Sequence, residues 1–221
     1  MKKITLTKIA LIAISCALFF ANSSMAFPIA NQSVKIDTTT GLGNANGGGE
    51  FYLDIGGDGT IDYTSFCVER NEYISNGGVY TIRSVEDNVY GGGISGGSPD
   101  PLSDATQWIM FKYINNEFFG THTDTLANDI QNVIWWLEGE LVNDRSLTNK
   151  AKTFYENLNL ANYVTNQYNS YVTVLNLTNR DGLAQSQIIA EAAPVPEPAT
   201  MLLFGTGLVG LAGITRRRVN R

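Results

Sequence analysis

The feature that most constrains this chain is its C-terminal end, which reads Val195-Pro196-Glu197-Pro198, then the apolar run Ala199–Ile214, then Arg216, Arg217 and Arg218. With its flanking threonines the run covers about 17 residues, or roughly 25 Å as a helix, the lower limit for crossing a bilayer. The arginines predict a membrane stop with the short tail on the cytoplasmic side. Gly205, Gly207, Gly210 and Gly213 give this helix small residues that permit close helix contact. The N-terminal end is also a targeting segment. Lys2, Lys3 and Lys8 flank the apolar stretch Ile9–Phe20, and Ser24-Met25-Ala26 follows, so cleavage after Ala26 is expected. Cys16 stands in Ala13-Ile14-Ser15-Cys16, a poor lipoprotein context, and the apolar run continues past it. Neither end can belong to the folded core. The expected division is a signal peptide over 1–26, a globular body over 27–193 and a C-terminal membrane segment over 194–221.

Pro196-Glu197-Pro198, a Leu/Gly-rich apolar helix and a terminal Arg cluster resemble the PEP-CTERM sorting signal of Gram-negative bacteria. The resemblance implies export through the Sec machinery and a transient inner-membrane intermediate held by the C-terminal helix. It also implies processing by an exosortase-type membrane protease and delivery to the cell surface or extracellular matrix, usually in bacteria that make exopolysaccharide. A tail anchor that is never processed is the plainer reading of the same segment.

A body of roughly 170 residues is one domain by length and can bury a real core. It holds eight Lys/Arg against twenty-one acids, a formal charge of −13 with Glu197 retained. Such a surface disfavours nucleic acid and anionic membrane as partners. Its first half is Gly-rich and strand-like. Ser33–Asp37 alternates weakly, and Gly41–Gly49 is a loop with five glycines. Glu50–Ile55 and Thr60–Val68 form a hairpin across Gly56-Gly57-Asp58-Gly59, Val79–Val85 is a further strand, and Gly91–Pro101 is a long loop. The second half turns helical. Ser103 or Asp104 caps a helix to about Asn115, apolar nearly all round and therefore buried. Thr123 or Asp124 opens a second helix through Glu140, with apolar residues recurring at three and four; Leu147–Leu160 is a third, more polar one. Tyr171–Leu177 returns to strand alternation and Ile188–Ala190 closes the sheet. The expected fold is α+β, a mostly antiparallel sheet or sandwich with a helical insertion of about three helices.

Enzyme constellations are scarce, and the chain is not expected to be an enzyme or to carry a cofactor. His122, in Gly-Thr-His-Thr-Asp, is a lone loop histidine, expected to face solvent. Cys-x-x-Cys, a second histidine and a phosphate loop of the Gly-x-x-x-x-Gly-Lys-Ser/Thr kind are missing from the sequence, so no metal or nucleotide site is expected. Asp54, Asp58 and Asp62 lack the ligand spacing of a calcium loop and read as a hairpin turn.

Once the leader is removed, Cys67 is the only cysteine. Exported proteins usually hold cysteines as disulfide pairs, so a lone thiol is either buried as a small hydrophobe or chemically committed. Phe66-Cys67-Val68-Glu69 on a strand, and Ile130-Gln131-Asn132-Val133-Ile134-Trp135 on a helix, resemble the thioester domain of bacterial surface adhesins. The resemblance implies Cys67 as the thiol and Gln131 as the acyl donor of an internal thioester. An amine or hydroxyl on a target surface would attack it and become bound through Gln131, by the acyl-transfer logic of covalent catalysis. Phe66, Trp135 or Trp136 would supply a shell that excludes water. This chain departs from the pattern in having Ile130 where threonine usually precedes the glutamine, and Gln107, in Ala-Thr-Gln-Trp, is the second candidate donor. Two functions are therefore expected of the exported body. One is an adhesion or matrix-attachment module acting through the Cys67–Gln131 thioester. The other is a non-covalent structural component of the exopolysaccharide or biofilm matrix with Cys67 simply buried.

Overall fold

The computed structural model describes residues 27–43, 48–91, 97–117, 119–141, 156 and 167–192. The signal peptide, the sorting segment and the expected third helix at 147–160 lie outside the described residues, except that Glu156 is helical. Six antiparallel strands form a closed barrel: β1 (Ser33–Asp37), β2 (Phe51–Ile55), β3 (Tyr63–Cys67), β4 (Gly78–Glu86), β7 (Val172–Asn179) and β8 (Gly182–Ala190). The circuit runs β1-β2-β3-β8-β7-β4 and returns to β1. A small ribbon pairs β5 (Asn88–Val89) with β6 (Asp100–Pro101). Two described helices, α1 (Asp104–Ile114) and α2 (Asp124–Leu137), lie between the two halves of the barrel sequence. The expected antiparallel sheet with a helical insertion is present, but the sheet is closed on itself and is not a sandwich.

Closure has local causes. The β2–β3 hairpin turns through Gly56, Gly57 and Gly59, whose φ values of 87°, 74° and 93° suit a residue without Cβ. Asp54 fixes that turn by accepting from Asp58 N and Gly59 N, and Asp62 accepts from Ile55 N. Those carboxylates serve the backbone of a hairpin, as the sequence predicts. Register shifts between Ile82 and Ser84 in β4, and between Leu175 and Leu177 in β7, bend both strands where they pair with their neighbours. A bulge raises local twist, which lets a six-stranded sheet curl far enough to meet its own edge. No barrel strand is then left with an open edge.

Strand alternation sorts the core into two halves. One fills the barrel with Val34, Ile36, Leu53, Cys67, Ile82, Leu175, Leu177 and Ile189, joined by Trp135 from α2. The other lies between the barrel wall and the helices and includes Phe66, Trp108, Ile109, Tyr113, Ile130, Ile134, Val174 and Ile188. Neighbours along β3 and β8 thus go to opposite sides: Phe66 to the helices and Cys67 inward, Ile188 to the helices and Ile189 inward. Both helices start where the sequence predicts. Ser103 Oγ accepts from Thr106 N to cap α1, and Thr123 Oγ1 accepts from Leu126 N to cap α2.

Candidate functional site around Cys67 and Gln131

Cys67 ends β3 and Gln131 lies in the second turn of α2; both are wholly buried. The Gln131 amide lies directly on the Cys67 backbone. Its Nε2 donates to Cys67 O at 2.9 Å, and its Oε1 accepts from Cys67 N at 3.0 Å. Gly49 N adds a second donor to Oε1 at 3.2 Å. Two N–H donors on one atom and a carbonyl facing the other fix which atom is oxygen and which is nitrogen. A buried amide must be satisfied in this way, since leaving it unpaired costs about 1–3 kcal/mol.

Local sequence explains the approach. Gln131 and Trp135 are four residues apart and share one face of α2. The glycine loop comes down on this face. A Cβ on Gly48 would stand 2.6 Å from Trp135 Cη2 and 2.7 Å from Gln131 Cγ. Trp135 fills the space behind, 1 % exposed, with the Arg70 guanidinium 5.8 Å from its ring centre. Phe66 is also buried and packs edge-on against Tyr113. Trp136 is half-buried at the margin of the barrel core.

The thiol has its own partners. Cys67 Sγ donates to Gln185 Oε1 at 3.0 Å, and Gln187 Nε2 points to the sulfur at 3.9 Å. Gln185 Nε2 donates to Glu69 O and Ser65 Oγ to Gln187 Oε1, which holds both glutamines in place. Burial pushes the Cys67 thiol well above its ordinary pKa, so it rests neutral among neutral amides. Beside it, Glu69 is buried with Oε2 accepting from Ser186 N and Oε1 from Ser186 Oγ. Burial, with the nearby Glu72 carboxylate, raises Glu69 to about 7. Glu140 Oε2 accepts from Arg70 N on the same flank.

The structure thus brings Cys67 and Gln131 together. Gln107 sits elsewhere, its Nε2 donating to Leu102 O near the start of α1. His122 departs from expectation: it is half-buried and stacks on the Tyr113 ring at 3.8 Å, with Nε2 3.0 Å from Tyr113 O. An aromatic face and a buried carbonyl hold this ring against the body, which its polar sequence neighbours conceal. Among the described residues no group of His, Cys, Asp and Glu could hold a metal. Ala26, Pro196, Glu197, Pro198 and Arg216–Arg218 lie outside the described residues. Sequence reasoning missed Gly49, Gln185, Gln187 and Glu69; only the cluster of glycines at 47–49 marked this loop as a place of close approach.

The Gln131 amide and the Cys67 backbone are thus joined by two hydrogen bonds in a wholly buried site, while the Cys67 thiol is bonded to Gln185. Residues 194–218 match the PEP-CTERM protein-sorting motif. That motif implies an exported chain, sorted by an exosortase to the cell envelope or surface. No similar curated protein and no similar solved structure is found.

Proposed function

We propose that this chain is an exported surface or extracellular-matrix protein whose body, residues 27–193, attaches covalently to its target through an internal Cys67–Gln131 thioester. In this reading Ala26 ends the signal peptide. Pro196-Glu197-Pro198 marks the exosortase site, and Arg216–Arg218 hold the membrane intermediate until release. The observation that carries the reading is the Gln131 amide seated on the Cys67 backbone by hydrogen bonds of 2.9 and 3.0 Å. The chemistry is a single acyl transfer, not turnover. The Cys67 sulfur bonds to the Gln131 carbonyl carbon and ammonia leaves with the thiol proton. A surface amine or hydroxyl then takes the acyl group and frees the thiol.

Methylamine tests this reading, because it reports the acyl group itself. Treating the purified protein should place N-methylglutamine at position 131 and release one alkylatable thiol at Cys67, while Gln131→Ala should take up none. A native protein that leaves Gln131 unmodified after prolonged exposure to methylamine would overturn the reading.

The second reading is a non-covalent matrix component. It is favoured by the Cys67 sulfur being fully buried and already bonded to Gln185. In that case the Cys67→Ala protein should associate with exopolysaccharide as the wild type does. Under the thioester reading, Cys67→Ala should wash off its target in denaturant.

A further inference from the structure

Whenever a nucleophile adds to the Gln131 carbonyl carbon, negative charge gathers on Oε1. That oxygen accepts two backbone N–H groups, from Cys67 at 3.0 Å and from Gly49 at 3.2 Å. The donors come from different parts of the chain, the end of β3 and the loop that leads into β2. They converge on one atom of a wholly buried side chain, where little solvent screens a dipole. A glutamine carbonyl oxygen has two lone pairs, and fixed backbone N–H groups meet both of them here. Two preorganised backbone donors are what an acyl-transfer site presents to a developing oxyanion.

Resting on the thioester reading, we infer that the backbone N–H groups of Gly49 and Cys67 form an oxyanion hole serving both acyl transfers at Gln131. In the first, Cys67 Sγ bonds to Cδ and the carbonyl electron pair moves onto Oε1. The Cδ–Nε2 bond then breaks, and the thiol proton departs with the nitrogen as ammonia. In the second, a primary amine adds to the same carbon and the charge returns to Oε1. The Cδ–Sγ bond breaks, and the surplus proton of the amine passes to the sulfur. The same oxygen carries the charge in each direction, so one pair of donors serves both.

The loop reaches Oε1 only because two consecutive residues lack side chains. A Cβ on Gly48 meets Trp135 and Gln131 inside 3 Å. Gly49 has φ +147°, and a Cβ there would stand 3.0 Å from Leu42 O. Any other pair would lift the Gly49 N–H from the amide or strain the loop.

The test replaces this N–H with an ester oxygen, by in vitro translation of the full chain in detergent with glycolic acid at position 49. Methylamine capture and ammonia loss are followed by intact mass, and folding by thermal melting. The ester variant should react about 100-fold more slowly than the wild type while still melting cooperatively. Gly48→Ala, which keeps every N–H but pushes the loop off Gln131, should be slowed as well. An ester variant that folds and reacts at the wild-type rate overturns the oxyanion hole and leaves the thioester reading standing. Should the ester variant fail to fold, a Gly48→Ala protein that reacts at full rate overturns it. A wild-type chain that never loses ammonia overturns the thioester reading and this inference together.

Discussion

Replacing Glu69 with glutamine should make the protein more stable at alkaline pH and flatten the dependence of its stability on pH. Glu69 is 1 % exposed, and burial beside Glu72 raises its pKa from 4.5 to about 7. The folded state therefore keeps a proton that the unfolded chain gives up between those values. Stability from this group is fully present below about pH 4.5 and is lost as pH rises through about 7. A shift of that size corresponds to about 3 kcal/mol, or roughly 10 °C in melting temperature for a domain of this length. Glu50, Glu72 and Glu138 are raised by burial too and act in the same direction. Glutamine keeps the shape and the bonding: its oxygen accepts from Ser186 N, and its NH2 donates to Ser186 Oγ, which goes on to Asn176 Oδ1. Melting curves at about pH 5 and pH 8 measure the effect. The wild type should lose stability over that interval, and Glu69→Gln should lose markedly less and exceed the wild type at the upper value. An equal loss in both proteins would refute the argument that Glu69 is a buried carboxyl group without adequate charge compensation.

Other substitutions probe the packing and the targeting. Trp135→Ala opens a hole where barrel core, glycine loop and Gln131 meet, and should cost about 3–5 kcal/mol in denaturant unfolding. Ser103→Ala removes the α1 cap and one donor to the buried Glu138, so a loss of about 1–2 kcal/mol is expected from the same measurement. Replacing Pro196, Glu197 and Pro198 with alanine should leave full-length protein in the membrane fraction, whereas the wild type should appear shortened in the medium. Immunoblots of the two fractions decide this.

The elements were largely legible in the sequence because their signals are local. Gly56-Gly57-Asp58-Gly59 marks the β2–β3 turn, and Ser103 and Thr123 mark the helix starts. Barrel closure was not legible. It depends on β3 meeting β8 and β4 meeting β1, and on bulges near Ile82 and Leu175, none of which leaves a pattern in neighbouring residues. Cys67 stands out as the one cysteine left in the body and Gln131 through the resemblance, and tertiary packing brings the Gln131 amide onto the Cys67 backbone. Their partners divide by kind. Gly49 acts through its backbone, which has no side-chain signature. Gln185 and Gln187 look like polar residues alternating on a strand, yet both are buried against the sulfur. Glu69 reads as a solvent-facing charge, and only the β3–β8 pairing encloses it.

The central claim is a bond between Cys67 Sγ and Gln131 Cδ, and intact mass measures it most directly. The protein, purified under reducing conditions from the cells that export it, should be lighter than its sequence by one molecule of ammonia. Cys67→Ala and Gln131→Ala should each have the full mass expected for the substituted chain. A wild type at full mass, with a thiol that alkylates in the folded state, would contradict the account.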